Sequence, residues 1–221
     1  MAAVLSGREV AVTSESVTLR GLLGVPRETR GVVLFAHGSG SGRLSSRNNV
    51  VARSLQDAGL ATLLIDLLTE DEERDDARTG HLRFDIGFLA KRLEAATRWL
   101  AESADTRSLR VGYFGASTGA AAALVAAAAM PDEVDAVVSR GGRPDLADEH
   151  LAKVRAPTLL IVGSRDVPVI PLNEDAFAQL RCAKKLEIVQ GASHLFEEPG
   201  TLDVVSELAA AWFTKYLGKG G

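Results

Sequence analysis

The chain has 221 residues, of which 46% are hydrophobic and 24% charged, with a formal net charge of -4. This composition suits one folded domain over residues 1–221, excludes long disorder and leaves no global basic field to hold nucleic acid or an anionic membrane. A lone cysteine, Cys182, excludes an internal disulfide or thiolate metal cluster and reads as a partly buried structural residue.

The opening residues, MAAVLSGREVAV, lack a basic start, a long apolar run and a small-residue cleavage site, so no secretion signal is expected and the cytoplasm is the default location. Residues 9–13 and 17–25 alternate polar and apolar side chains, which predicts a hairpin. Residues 31–36 form a continuous apolar run, the mark of a strand buried on both faces. It ends in His37-Gly38-Ser39-Gly40-Ser41-Gly42-Arg43. Helical spacing over 46–58 closes at Gly59. A buried strand over 61–68 leads to the charged segment 70–83, whose acid run EDEERDD reads as a solvated loop or exposed helix turn. Ile86, Leu89, Leu93, Ala96 and Leu100 define an amphipathic helix over 84–103.

The stretch 109–131 is a short apolar strand followed by an alanine-rich helix too short to span a bilayer. Beyond it come strands over 134–139, 157–162 and 186–189, and helices over 145–154, 173–180 and 202–217. Strands therefore alternate with helices from residue 31 onward, which predicts an α/β fold. Its sheet is mainly parallel, with an N-terminal antiparallel hairpin and helices on both faces. The loops at the carboxyl ends of such strands carry the site.

At the junction of strand and alanine-rich helix, Gly115-Ala116-Ser117-Thr118-Gly119 fits the Gly-x-Ser-x-Gly pattern of a nucleophile elbow. His194, in the turn after the last strand, stands where a general base reaches back to Ser117. Asp166 follows the preceding strand and is the candidate orienting carboxylate, with Asp145 in reserve. His150, beside Glu149, reads as an exposed helix residue. The backbone N–H groups of Thr118 and Ser39 are candidate oxyanion donors. A dinucleotide reading of residues 38–42, with Asp66 as the ribose acid, fails because the third glycine of the fingerprint would fall on Arg43 or Ser45. Arg43, Arg47, Arg140 and Arg143 either line the mouth of the site as receptors for a carboxylate or phosphate, or sit in structural ion pairs.

With these residues in place, nearly the whole chain resembles an α/β-hydrolase of the dienelactone-hydrolase-like branch, which lacks a separate lid domain. The segments HGSGSGR, LLIDLLTEDEE, GYFGASTGAAAALVAAA, VVSRGGRPDLA and GASHLFEEPG are similar to a bacterial hydrolase module sometimes joined to a phosphoribosyltransferase domain. The resemblance implies a triad of Ser117, Asp166 and His194, oxyanion donors at Ser39 and Thr118, no metal or organic cofactor, and association with a phosphoribosyltransferase whose domain is not within these residues. Dienelactone hydrolases proper carry cysteine at the elbow, so Ser117 is a departure and lactone specificity is not carried over. The expected activity is hydrolysis of small carboxylic esters or thioesters through an acyl-enzyme. The alternatives are an acyl transferase with the same triad and a binding module of the same fold. The sequence sets no oligomeric state.

Overall fold

A computed structural model describes residues 7–218. Residues 1–6, half of the stretch read for a secretion signal, lie outside the described residues. The N-terminal hairpin forms as the alternation predicts: β1 (Arg8–Ser14) pairs antiparallel with β2 (Val17–Gly24), Ser14 opposite Val17. Beyond it run β3 (Val32–Ala36), β4 (Ala61–Ile65), β5 (Val111–Ala116), β6 (Val134–Arg140), β7 (Thr158–Gly163) and β8 (Lys184–Val189). One eight-stranded sheet results, in the order β1-β2-β4-β3-β5-β6-β7-β8, and every pair from β4 onward is parallel. The chain steps from β3 outward to β4, then returns to lay β5 on the other side of β3. That reversal opens a crevice at the carboxyl ends of β3 and β5.

Two helical layers bury the faces of this sheet. α1 (Ser46–Asp57) and α6 (Thr201–Leu217) cover one face, where Phe35, Leu55, Phe114, Ile161 and Phe213 are buried together. α3 (Ile86–Glu102), α4 (Thr118–Ala129) and α5 (Ile170–Gln179) cover the other, around Leu34, Leu63, Leu93, Tyr113 and Leu160. The alanine run is explained by crowding: nine of the twelve residues of α4 are buried. Small side chains let its backbone lie close to neighbours on all sides, and alanine has the highest intrinsic helix propensity.

Of the two forms expected for the acid run, the exposed helix is the one that forms, extended beyond a single turn as α2 (Glu70–Thr79). Thr69 caps it with a reciprocal capping box to Glu72, and four acids in the first turn complement the helix dipole. Arg92 of α3 reaches Glu72 at 2.7 Å and so ties the helix to the body. The predicted helix over 145–154 is instead a run of 3₁₀ turns over Pro144–Lys153, interrupted at Asp148, whose φ is 44°. His150 there is half-buried, with Nδ1 3.1 Å from the Ala147 carbonyl. Cys182 is also half-buried, with its Sγ 3.7 Å from Thr158 Oγ1.

β5 is anchored by Tyr113, fully buried, whose hydroxyl shares a 2.6 Å hydrogen bond with Thr97 Oγ1 of α3. Burial raises the phenol pKa well above its ordinary value. Thr97 Oγ1 keeps a second partner in the Leu93 carbonyl. Tyr113→Phe is therefore expected to cost only about 1 kcal/mol, the net value of one hydrogen bond, and to lower Tm by about 2–4 °C in thermal melts. A loss several times larger would mean that the strand is held differently.

Candidate active site

The elbow owes its shape to its two glycines. A Cβ at Gly119 would lie 2.3 Å from the Ala36 carbonyl oxygen and 2.4 Å from that of His37, while one at Gly115 would lie 2.4 Å from Ala120 Cα. No larger residue permits the start of α4 to nest between β5 and the end of β3. Ser117, between them, is forced to φ 51° and ψ -124°, a conformation that costs on the order of 1–3 kcal/mol outside glycine. No side chain caps α4, so its first amides are available to an anion. Among the described residues Ser117 Oγ makes no hydrogen bond.

Asp166 and His194 are brought together by a second close approach. A Cβ at Gly163 would lie 2.3 Å from the Ala192 carbonyl oxygen, so only glycine lets the turn after β8 fold over the end of β7. Three hydrogen bonds then stitch the two loops: Ser164 N–H to the Val189 carbonyl at 3.0 Å, Arg165 N–H to the Ala192 carbonyl at 2.9 Å, and Gly191 N–H to Ser164 Oγ at 2.8 Å. His194 Nδ1 consequently sits 2.6 Å from Asp166 Oδ2. A neutral imidazole facing an accepting carboxylate places its proton on Nδ1 and its lone pair on Nε2. Asp145 is bound elsewhere, in a fork with Arg143 at 2.9 and 2.7 Å. His194 and Ser117 both abut the exit of β6. Ser117 N–H donates to the Arg140 carbonyl at 3.4 Å, and a Cβ at the next residue, Gly141, would lie 2.9 Å from the His194 carbonyl oxygen.

The loop after β3 faces this exit from the other side. A Cβ at Gly38 would lie 3.0 Å from Ser117 Cβ, and Ser39 N–H donates to Thr118 Oγ1 at 3.2 Å. His37 clamps the loop. Its ring is buried, Nδ1–H donates to the Gly38 carbonyl at 2.9 Å, and Nε2 accepts from Leu67 N–H at 2.9 Å. Burial holds its pKa below the usual 6.5, against the raising effects of the Gly38 carbonyl and Asp66. Asp66 fixes the far end of the loop by accepting from Arg43 N–H at 2.6 Å and pairing with the Arg43 guanidinium.

The arginines separate by partner. Arg43 and Arg143 are held in ion pairs by Asp66 and Asp145, and Arg47 pairs with Glu197 at 3.2 Å. Arg140 is buried against the Phe196 ring, 5.8 Å from its centroid, with Nη2 donating to Asn48 Oδ1 at 3.3 Å. Burial, and to a lesser extent the charge of Arg47, lower its pKa to about 10. A cavity of about 890 Å³ opens beside Ser39 and Thr118, bounded by the residues after β3 and by the segment from Asp66 to Asp76. Among the described residues no group of three or more His, Cys, Asp or Glu side chains could hold a metal ion, and no helix is long and apolar enough to cross a membrane.

Residues 19–215 match the family model described as the dienelactone hydrolase family. The chain belongs to that family. It is 61% identical to a dienelactone hydrolase from Anabaena variabilis of known crystal structure, covering 96% of this chain and 98% of that one with a TM-score of 0.94. It is 57% identical over 213 residues to a Mycobacterium tuberculosis protein named a putative phosphoribosyl transferase, covering 96% of this chain and 47% of that protein. The chain thus spans about half the length of the curated relatives it matches. An esterase domain from a Rhodothermus marinus protein, 21% identical, shares the fold with a TM-score of 0.75 over 97% of this chain and all of that one. Membership in the dienelactone hydrolase family supports a hydrolase acting on esters.

Sequence reasoning missed two residues that shape the site. Asn48 faces Arg140 from α1, and Asn173 of α5 holds the Gly142 carbonyl at 3.1 Å. Neither lies in a recognisable pattern, and both act through contacts distant in sequence. The His37 clamp makes a prediction. The unfolded ring takes up a proton near pH 6.5 while the folded ring resists it. The stabilisation it provides is therefore complete above pH 6.5 and is lost as pH falls toward the lower folded value. In thermal melts at about pH 7.5 and pH 5.5, the gap between wild type and His37→Asn should narrow at the lower pH. A constant gap would show that the ring is not held neutral.

Proposed function

We propose that the protein is a serine hydrolase of small carboxylic esters or thioesters that works through an acyl-enzyme. The observation that carries this reading is the 2.6 Å contact between His194 Nδ1 and Asp166 Oδ2 at the sheet edge where Ser117 is held in its strained turn. In the proposed cycle His194 Nε2 takes the proton of Ser117 Oγ as that oxygen attacks the ester carbonyl. Asp166 keeps the imidazole in the required tautomer and stabilises the imidazolium. The tetrahedral oxyanion forms at the start of α4, toward the backbone N–H groups of Thr118 and Ser39. Collapse expels the alcohol or thiol, which receives the proton from His194. Water, deprotonated by the same ring, then releases the acid and restores Ser117.

The cavity of about 890 Å³ is lined by Ser39 and Thr118 but not by Ser117, Asp166 or His194, and its volume falls in the usual range for small-molecule sites. Arg43 and Arg143 are given structural roles, since their charges are already met by Asp66 and Asp145. The name carried by the longer relatives belongs to proteins about twice this length, so it does not supply the reaction of residues 19–215.

A fluorophosphonate probe should label wild type and not Ser117→Ala. Against short-chain aryl esters, Ser117→Ala and His194→Ala should each lower kcat by roughly 10⁶-fold, and Asp166→Asn by about 10⁴-fold. Asp145→Asn should lower kcat by less than tenfold. Equal residual activity in wild type, Ser117→Ala and His194→Ala would overturn the assignment. A larger loss at Asp145 than at Asp166 would move the orienting carboxylate.

A further inference from the structure

Thr118 is the one hydroxyl residue in a helix otherwise made of Gly, Ala, Leu and Val. It occupies the first helical position directly after Ser117, and only 4% of its surface is exposed, yet it lines the cavity beside Ser39. A buried hydroxyl is costly unless its hydrogen-bonding capacity is used. Here only half of it is. Ser39 N–H donates to Thr118 Oγ1 at 3.2 Å, which engages a lone pair. Among the described residues no acceptor lies within hydrogen-bonding geometry of the Thr118 hydroxyl proton. A threonine in a helix commonly sends that proton back to the carbonyl three or four residues earlier. At this position the preceding residues belong to the elbow and to β5, and the bond is not made.

We propose that the Thr118 hydroxyl is a catalytic oxyanion donor, placed between Ser39 N–H and the substrate carbonyl. The inference rests on the serine-hydrolase reading and changes the role given there to Ser39. The carbonyl oxygen attacked by Ser117 is met by the N–H and the O–H of the same residue, Thr118. Ser39 N–H, bonded to the far side of that hydroxyl, fixes its rotamer and polarises it, because a hydroxyl that accepts a hydrogen bond becomes a better donor. No proton is transferred: the hydroxyl proton stays on Thr118, and its hydrogen bond to the carbonyl oxygen shortens as negative charge develops. A donor aimed at charge that appears only in the transition state raises kcat with little effect on ground-state binding.

The test compares Thr118→Val, which keeps the shape and removes the hydroxyl, with Thr118→Ser, which keeps the hydroxyl and loses the methyl. Each is assayed for kcat and KM on a short-chain aryl ester and for inhibition by an aryl trifluoromethyl ketone, whose adduct with Ser117 carries an oxyanion. Thermal melts confirm that both variants are folded. The expected result is a kcat about 100-fold lower in Thr118→Val, KM within about threefold, and a matching loss of affinity for the ketone, with Thr118→Ser within about fivefold of wild type throughout. Thr118→Val within twofold of wild type in kcat and ketone inhibition would overturn the proposal. An equal loss in both variants would also overturn it, by assigning the effect to the methyl group. Should Thr118→Val fail to fold, Thr118→Ala takes its place: a kcat about 100-fold below that of Thr118→Ser supports the hydroxyl, and a kcat within twofold of Thr118→Ser overturns it. Wild type that neither turns over the ester nor binds the ketone would instead overturn the serine-hydrolase reading itself.

Discussion

The start of α4 lies so close to the end of β3 that the carbonyl oxygens of Ala36 and His37 occupy the space of a side chain at Gly119, and the rest of the site depends on that contact. Because the helix cannot move away from the sheet, the chain between β5 and α4 turns within one residue, and Ser117 takes the left-handed backbone conformation. The same contact sets the loop after β3 directly beside the turn, with Gly38 against Ser117 and Ser39 N–H against Thr118. Strain at one residue is thus offset by packing spread over two strands and a helix, the condition under which such conformations persist.

A second rigid body meets the first across β6. The loops after β7 and β8 are fastened to each other by three hydrogen bonds and by the approach that Gly163 permits. Asp166 and His194 are therefore held beside each other by contacts that do not involve the elbow. What joins the two bodies is the exit of β6, where the Arg140 carbonyl receives Ser117 N–H and Gly141 leaves room for the backbone of His194. Both Ser117 and His194 thus pack through their backbones against the exit of β6. Glu198, which accepts from Ser193 N–H at 3.0 Å, steadies the histidine turn from outside. Its pKa is lowered chiefly by that backbone hydrogen bond.

The fold and the candidate site were legible in the sequence to the extent that they follow from local pattern. Alternation in the hairpin, apolar runs in β3, β4, β5 and β7 and strand-end placement of Ser117, Asp166 and His194 are signals carried by short stretches of chain. In residues 70–83 charge alone left a loop and an exposed helix turn both open, and the capping box of Thr69 and Glu72, which starts a full helix, is what decides between them. The stretch after Arg143 did mislead. Its spacing is helical, but the left-handed backbone of Asp148 breaks the run, a tertiary constraint without a local sign. Asn48 and Asn173 were invisible because their partners, Arg140 and Gly142, lie far away in sequence.

The arginines show how a count of charges in a sequence differs from a field in a structure. Arg20, Arg43 and Arg83 surround the cavity, yet each faces a carboxylate of its own chain: Glu70 at 2.9 Å, Asp66, and Asp76 at 2.5 Å. Paired charges bring loops together but present little net potential to a ligand, since each guanidinium is partly cancelled by its neighbour. Arg140 is different: it is buried, the charge that acts on it is that of Arg47, and its Nε has no hydrogen-bond partner among the described residues. A buried cation without a carboxylate is tolerated here against the face of Phe196, the residue two positions beyond His194. It rests, with Asn48 of α1, under the turn that carries the imidazole. The charge of Arg140 is thus enclosed in the protein and is not presented to the cavity beside Ser39 and Thr118.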